Sequence, residues 1–447
     1  MKIGAYVVSK QAKQTYANES YDVRAWPGFE MVLDAARRDG WVIEYVGEAT
    51  AHTCDVVLVS ITSDCDWWPF IAERERWSKS NTRVIVGGPG VLNIRPFLTV
   101  SDVFVFGRGE QLIIDILRAE SRGDMVNSPS VAYSIAFAVD KRYEMAQCDE
   151  LYPHQFLMAN GKPFRETAVG CPNRCLFCGY TWHRKYIGDG HFASGADSMQ
   201  AGNREHTIKD LLKLPPEQWQ DEGPLRIVGL DGCSERLRMQ VNKRISRDMW
   251  LEFLSGLATI PKPHQVKVYN IIGYPGETED DWGEFVDDLR KVDGELSPDK
   301  QWSIVAHFTP FRAMPATPAA TWPMSYRNYR GVIARKLRDK PMRGNLFFQG
   351  NRFWAVESMG TDSLASHIQS AIVLRGKEAD IDGIKAVART KKYWGASSAQ
   401  KVATLEQRFD CAALFREYRW DELPTRYLHS YARVEDYTGT LSTATGY

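Results

Sequence analysis

Three cysteines on one short segment constrain this chain more than any other feature. Residues 170–179 read GCPNRCLFCG, with Cys171, Cys175 and Cys178 at spacings of four and three. Thiolates this close in sequence can converge on one metal group. Cysteine thiolates hold [4Fe–4S] clusters, normally four of them. Three leave one iron with an open position, and open positions are where metal sites do chemistry. Two blander readings stand beside this one: a zinc site completed by His183, and three unrelated buried thiols. Cys54, Cys65, Cys148, Cys233 and Cys411 are scattered without paired spacing, which speaks against an auxiliary cluster. Eight cysteines in 447 residues are too few for a disulfide scaffold. They point to a reducing compartment such as the cytoplasm.

Ahead of the triplet, residues 1–120 alternate between two periods. Apolar strand-like runs fall at residues 3–8, 42–46, 56–61, 84–86 and 103–106, with helical patterns at 29–38 and 111–118. Short buried strands alternating with helices imply a parallel sheet covered on both faces. Such sheets bind ligands beyond the strand C-terminal ends. Two glycine-rich turns fall there, Gly87-Gly88-Pro89-Gly90 and Gly107-Arg108-Gly109-Glu110. Taken alone, they read equally well as tight turns. Residues 130–139, the longest mostly apolar run, are about half of what a bilayer crossing needs. The N-terminus reads as a first strand without the layout of a signal peptide. Lys+Arg and Asp+Glu balance at 56 each, so affinity for nucleic acid must come from local patches.

The order of these pieces resembles the cobalamin-binding-type domain found ahead of many radical SAM enzymes, where a strand ending "GGP" precedes a strand and "G-x-G-E". The Asp-x-His-x-x-Gly motif that ligates cobalt in other cobalamin proteins is absent, and His52 lacks that context. Many relatives lack it too, so the sequence leaves cobalamin open. The triplet itself resembles the radical SAM signature CX3CX2C, with Phe177 before the last cysteine and a strand expected at 166–169. Residues 229–245, GLDGCSERLRMQVNKRI, resemble that family's fourth-strand motif, with Asp231 in place of a glutamate. Residues 268–281, VYNIIGYPGETEDD, resemble its fifth-strand motif, and Thr278 with Asp281 make a capping box. Phe308-Thr309-Pro310, near Ala316-Thr317-Pro318, resembles the end of the sixth strand.

The resemblance implies an α/β fold: an N-terminal doubly wound, Rossmann-like parallel sheet, a central partial (β/α)6 radical SAM barrel, and a mainly helical C-terminal region. The boundaries are 1–125 for the cobalamin-binding-like domain, 126–160 for a linker with a hairpin, 161–325 for the barrel and 326–447 for the rest. Only about 50 residues separate Cys178 from Gly229, so the barrel is trimmed where strands two and three belong. The resemblance further implies a [4Fe–4S] cluster on the three cysteines. S-adenosylmethionine binds the open iron and is cleaved to methionine and a 5′-deoxyadenosyl radical. An external electron donor such as flavodoxin or ferredoxin completes the set. By the same carry-over Phe177 belongs to the cofactor site, Gly273, Pro275 and Glu277 lie near the cofactor's adenine, and Asp231 and Ser234 near its ribose or methionine part. Arg238 is assigned its carboxylate; the bland alternative pairs Arg238 and Glu277 with protein groups. Cys233, Tyr180 and Tyr274 are candidates for quenching the product radical, since they adjoin motif residues.

Basic residues cluster beside aromatics at 327–343, 347–354 and 389–394. That composition suits a nucleotide or modified DNA, cations meeting phosphates and rings stacking on bases; a solvated helix face over core aromatics is the alternative. Three functions compete: redox-neutral isomerisation, cobalamin-dependent methylation of an unactivated carbon, and a degenerate binding subunit. The intact triplet speaks against the last. In size, trimmed barrel and basic-aromatic C-terminal third, the chain also resembles bacteriophage radical SAM isomerases of thymidine hypermodification. One type of these converts a nitrogen-linked glycine on the thymine methyl carbon into a carbon-linked form. The first expectation is therefore isomerisation of a modified nucleobase.

Overall fold

The computed structural model describes residues 1–8, 27–77, 81–157, 163–188, 205–219, 227–259, 265–295, 303–325, 342–343, 346–349, 352–358 and 363–430. Its first sheet is six-stranded, in the order β2-β1-β3-β4-β5-β6. The strands are β1 (Ile3–Val7), β2 (Ile43–Tyr45), β3 (Val56–Ser60), β4 (Arg83–Gly87), β5 (Val103–Val105) and β6 (Val131–Tyr133). β1 to β5 run parallel, and each of the five expected apolar runs supplies one of them. β3 is buried along its whole length, which is why it reads as an unbroken apolar run. β6 pairs antiparallel with β5, inside the stretch expected to be a linker. Helices Pro27–Arg38 and Glu110–Glu120 cover one face. The first opens on a proline and closes on Arg37 and Arg38, which suits both its ends.

Three short strands follow, β7 (Tyr143–Glu144), β8 (Phe156–Leu157) and β9 (Pro163–Phe164). The barrel strand expected at 166–169 does not form. Val169 makes one isolated antiparallel bridge to Ile187. Glu166 turns instead to the first domain, where Arg108 grips it with two bonds of 2.5 and 2.9 Å and the Tyr152 amide donates at 2.8 Å.

The second sheet has seven strands in the order β10-β11-β12-β13-β16-β15-β14. These are β10 (Glu205–His206), β11 (Ile227–Gly229), β12 (Gln265–Ile272), β13 (Ser303–Pro310), β14 (Met342–Arg343), β15 (Leu346–Gln349) and β16 (Arg352–Ser358). β10 to β13 and β16 are parallel, and β14 and β15 add an antiparallel edge. The sheet thus continues to residue 358, through a region expected to be helical from 326 on. Aromatic and β-branched residues at 347–356 fit a pleated surface better than a helix. Val228, Val266, Val268, Ile272, Ala306 and Phe308 pack against Trp250, Phe253, Trp282 and Phe285 of helices Arg247–Thr259 and Glu279–Glu295. Successive strand residues alternate faces. Gly229, Tyr269, Ile271 and Thr309 therefore lie on the opposite, inner face.

The last helices staple the two sheets together. Trp68 donates to the Gln369 carbonyl at 3.3 Å, and Asn93 to the carbonyls of Val373 and Gly376 at 2.9 Å, all on or just past helix Ser363–Arg375. Within the C-terminal helical region, residues 397–418 hold two helices, Ser398–Glu406 and Cys411–Phe415, the second capped by Asp410. Residues 189–204, 326–341 and 431–447 lie outside the described residues. The second of these holds most of the basic cluster at 327–343. No helix among the described residues is long and apolar enough to cross a membrane.

Candidate functional site

The cysteine loop is clamped from several sides. Gly170 enters it at φ +73°, where a Cβ would come within 2.8 Å of the Lys185 carbonyl. Thr181 donates to the Cys171 carbonyl at 2.6 Å, and Trp182 to the Cys175 carbonyl at 2.9 Å. The Leu176 amide reaches the Val241 carbonyl at 3.0 Å, and Asn242 reaches Arg174 at 2.9 Å. These bonds fix the loop to the turn that ends helix Glu235–Gln240. The Phe177 ring lies 6.0 Å from Tyr274, which lies 5.3 Å from Phe311. The loop therefore spans the C-terminal ends of β11, β12 and β13, the mouth of a parallel sheet.

Cys175 lies within electrostatic reach of Cys171, Cys178, Asp231 and Lys243. Burial pushes its thiol up to about 12, and burial likewise pushes Cys178 up to about 11. Thiolates in that environment need a compensating cation. Among the described residues, no three His, Cys, Asp or Glu side chains gather as ligands of one ion. His183 does not complete a zinc site. Its Nε2 bonds the Pro315 carbonyl at 2.7 Å, and burial lowers its pKa to about 4.

Asp231 stands just past β11 in the left-handed region, φ +57°, and its carboxylate pairs with Lys243. Both side chains are largely buried. Ser234 caps helix Glu235–Gln240 at the Leu237 amide and donates to Asp281 at 2.5 Å. Arg238 has the bland role: fully buried, it donates to the carbonyls of Ile245 at 2.7 Å and Gly232 at 3.1 Å. It braces the turn from behind. Glu277 also has protein partners, the amides of Gly273 at 2.7 Å and Tyr274 at 3.2 Å and the indole of Trp282 at 2.9 Å. Burial nevertheless raises its pKa to about 7. Gly273 and Gly276 turn at positive φ around Pro275, whose carbonyl accepts from Gln240 at 3.0 Å. Thr278 and Asp281 do open helix Glu279–Glu295, the amide of Thr278 donating to Asp281 at 2.8 Å.

Of the radical-quenching candidates, Cys233 is fully buried in the helix-covered outer core. The Tyr274 hydroxyl donates to the Asp231 carbonyl at 2.9 Å. Tyr180 stacks under Arg184 at 4.7 Å and lines a different cavity. That cavity, about 460 Å³, lies at the C-terminal ends of β3, β4 and β5. Gly88, Pro89, Gly107 and Gly109 form one side, Tyr180 and Arg184 of the cysteine segment another. The Arg108–Glu166 pair borders it. Both glycine turns thus face a cavity that is mostly apolar, of a size that takes a small ligand.

In the second basic cluster the aromatics face inward. Tyr393 is buried, and the Trp394 indole donates to the Ala388 carbonyl at 2.8 Å against the core. Arg389 pairs with Glu75, and Lys391 and Lys392 are exposed. This is a solvated face over core rings, not a stacking platform. Sequence reasoning did not single out Lys243, the cation beside the cysteine loop. It followed the arginine of the same motif, and spacing alone does not say which cation folds back.

No family model matches the chain, and no curated protein matches it. Among solved structures it is similar to the cobalamin-dependent S-adenosylmethionine radical enzyme OxsB with aqua-cobalamin and S-adenosylmethionine bound. The identity is 10%, the TM-score 0.25, and the match covers 99% of this chain and 61% of that one. The form of that enzyme with aqua-cobalamin alone gives 9% identity and a TM-score of 0.26 over the same shares. The chain thus spans less than two thirds of that enzyme's length.

Proposed function

We propose that this chain is a radical SAM enzyme. The observation that carries the reading is the clamped loop of three thiols set against the Asp231–Lys243 pair at the mouth of a parallel sheet. Cys171, Cys175 and Cys178 are the residues to hold a [4Fe–4S] cluster. When bound, that cluster supplies the electron that cleaves S-adenosylmethionine to methionine and a 5′-deoxyadenosyl radical. An external donor of the flavodoxin or ferredoxin class provides it. Lys243 is the cation positioned to meet the carboxylate of S-adenosylmethionine, and Asp231 fixes its ammonium. Gly273, Pro275 and Glu277 form the turn on the adenine side, where the Phe177 ring packs nearby.

The reaction we propose is a redox-neutral isomerisation of a nucleobase-bearing substrate. The other cysteines support a single-cluster enzyme: Cys233 and Cys54 are each buried in a different core, and Cys65 bonds the Ser366 carbonyl. The narrower phage-type reading, a glycine-bearing thymidine, rests on the sequence resemblance alone. A second reading, cobalamin-dependent methylation, is favoured by the cavity between the glycine turns, since one of its walls belongs to the cysteine segment. Anaerobic reconstitution with iron, sulfide and S-adenosylmethionine, followed by mass spectrometry of nucleoside and modified-DNA panels, separates them. Unchanged product mass with shifted retention means isomerisation, and a gain of one methylene means methylation. Absence of 5′-deoxyadenosine from the reconstituted protein removes both.

A further inference from the structure

The outer rim of the cysteine loop carries charge of one sign. Asn242 ties that rim to the turn after helix Glu235–Gln240, donating to the Arg174 carbonyl at 2.9 Å. The Arg244 guanidinium in turn donates to Asn242 at 2.8 Å. Arg174, Asn242 and Arg244 all take left-handed backbone, at φ +52°, +59° and +46°, and both arginines are exposed. Such values are uncommon for residues other than glycine. Lys209, on helix Ile208–Leu211, lies within electrostatic reach of Arg244, Lys243 and Cys175. Like charges gathered this way repel one another. The two acids beside them are already taken, Asp210 by Lys213 and Asp231 by Lys243. Neither Lys209 nor Arg244 forms an ion pair among the described residues. On either side along the chain the pattern differs: Arg236 is neutralised by Asp281 and Arg247 by Asp288. The uncompensated positive charge thus sits at the cysteine loop. Met239, 44% exposed, adds an apolar side chain at the end of the same helix.

We propose that this rim is the docking surface for a small acidic electron-donor protein of the flavodoxin class. The inference rests on the radical SAM reading and goes beyond it by naming where the donor sits. Electron transfer weakens steeply with distance, so the donor must come close to the cysteines from solvent. The rim allows that approach. Only two hydrogen bonds, through the Asn242 side chain, separate the exposed Arg244 from the peptide that precedes Cys175. An acidic partner relieves the repulsion among Lys209, Lys243 and Arg244, and opposite charge speeds the encounter. Arg244 and Met239 are of the side-chain types enriched at protein interfaces. The rim residues include no aromatic ring, so they lack the stacking surface that a nucleic-acid strand uses. The step moves one electron. The donor's flavin hydroquinone becomes a semiquinone, the cluster is reduced by one electron, and no bond forms or breaks between the proteins.

The test needs no knowledge of the substrate. Oxidised flavodoxin is titrated into the reconstituted full-length protein by calorimetry, at low and at physiological salt. Lys209→Glu with Arg244→Glu should weaken binding about tenfold at low salt, with a smaller loss at physiological salt. Lys391→Glu with Lys392→Glu, the same change of net charge on another helix, should leave affinity within about twofold. The same proteins are then given S-adenosylmethionine and either reduced flavodoxin or dithionite, and 5′-deoxyadenosine is measured. With flavodoxin, the Lys209–Arg244 variant should need about tenfold more donor for half-maximal cleavage and keep its maximal rate. With dithionite it should match the parent. Unchanged affinity and donor requirement in that variant overturn the proposal and leave the radical SAM reading intact. Equal loss of cleavage with both reductants, at unchanged affinity, also overturns it and gives the two cations a role inside the loop. Tighter binding of a DNA duplex than of flavodoxin, lost in the same variant, overturns it in favour of nucleic acid. No cleavage by the unaltered protein with dithionite removes the radical SAM reading and the proposal with it.

Discussion

The two sheets of this molecule solve the same problem with opposite materials. Both are parallel, and both present a site beyond their strand C-terminal ends. The first builds an apolar cavity from glycine turns, bordered by a buried ion pair, Arg108–Glu166, that belongs half to each region. The second builds a polar mouth from a left-handed aspartate, a buried lysine and three thiols. An apolar cavity holds a ligand by shape and tolerates many. Buried charges are costly unless paired, and here Asp231 and Lys243 pair with each other. On the proposed reading chemistry belongs to the second sheet and ligand binding to the first, and the experiments that break that contrast fall in order of effect.

The largest effect is expected at the thiols. Cys175→Ala should abolish iron–sulfur absorbance after reconstitution and reduce S-adenosylmethionine cleavage to background, with the fold retained by circular dichroism. Wild-type cleavage by this variant would remove the chemistry from the second sheet altogether.

Arg108 comes next, because it joins the two halves. It and Glu166 are both about nine-tenths buried. Truncating one partner leaves a buried charge without compensation, a loss of roughly 3–5 kcal/mol. Arg108→Ala should lower the denaturation midpoint accordingly, and Arg108→Ala with Glu166→Gln should recover part of it. A single variant as stable as the parent would mean that the two sheets are not joined there.

Lys243 and Arg238 sharpen the contrast within the second sheet. Lys243→Met should weaken S-adenosylmethionine binding about tenfold, or about 1.4 kcal/mol, by calorimetry on the reconstituted protein. Arg238→Met should leave the affinity of the folded protein alone and cost about 1–3 kcal/mol of stability, since buried carbonyls lose their donor. The reverse pattern would return the carboxylate contact to Arg238.

These two cations mark how far the sequence reaches. The triplet, the strands β1 to β5 and the capping of helix Glu279–Glu295 were legible because each rests on local chemistry: spacing, an apolar run, a side chain reaching its own backbone. Lys243 was not, because it lies past the end of its helix and returns to Asp231 through a turn held by Asn242 and Arg244 at positive φ. The strand expected at 166–169 failed for a related reason. Its glutamate is held by an arginine 58 residues earlier, and no window along the chain contains both. The inward turn of Tyr393 and Trp394 was equally invisible, since composition does not say which face of a short helix meets the core.

A smaller effect is expected from pH. Burial raises the folded-state pKa of Glu277 from 4.5 to about 7. The folded protein then binds more protons than the unfolded chain between those values, so this carboxyl's contribution to stability falls as pH rises through that window. Glu277→Gln removes the titration while keeping an acceptor for Gly273 and Tyr274. The variant's stability relative to the parent should therefore climb from about pH 4.5 to 7 and stay level above. Measuring the difference between the two proteins cancels the opposing contribution of His183, whose lowered pKa removes stability on acidification. A difference independent of pH would mean that Glu277 is ionised throughout, and the Gly273–Glu277 turn would be more polar than its burial implies.

The smallest effect separates the nucleic-acid idea from the site itself. Lys391 and Lys392 are exposed on a short helix whose rings face the core. Solvated charges of this kind contribute within about 0.5 kcal/mol to stability. Lys391→Ala with Lys392→Ala should leave the melting temperature nearly unchanged. If DNA were gripped here, each lost phosphate contact would lower the slope of log affinity against log salt by about 0.9. The inward rings predict no such change for this pair. A slope reduced by about two units would place nucleic acid on this face and require that the rings turn outward when it binds. An unchanged slope leaves residues 327–343 as the remaining basic segment to test.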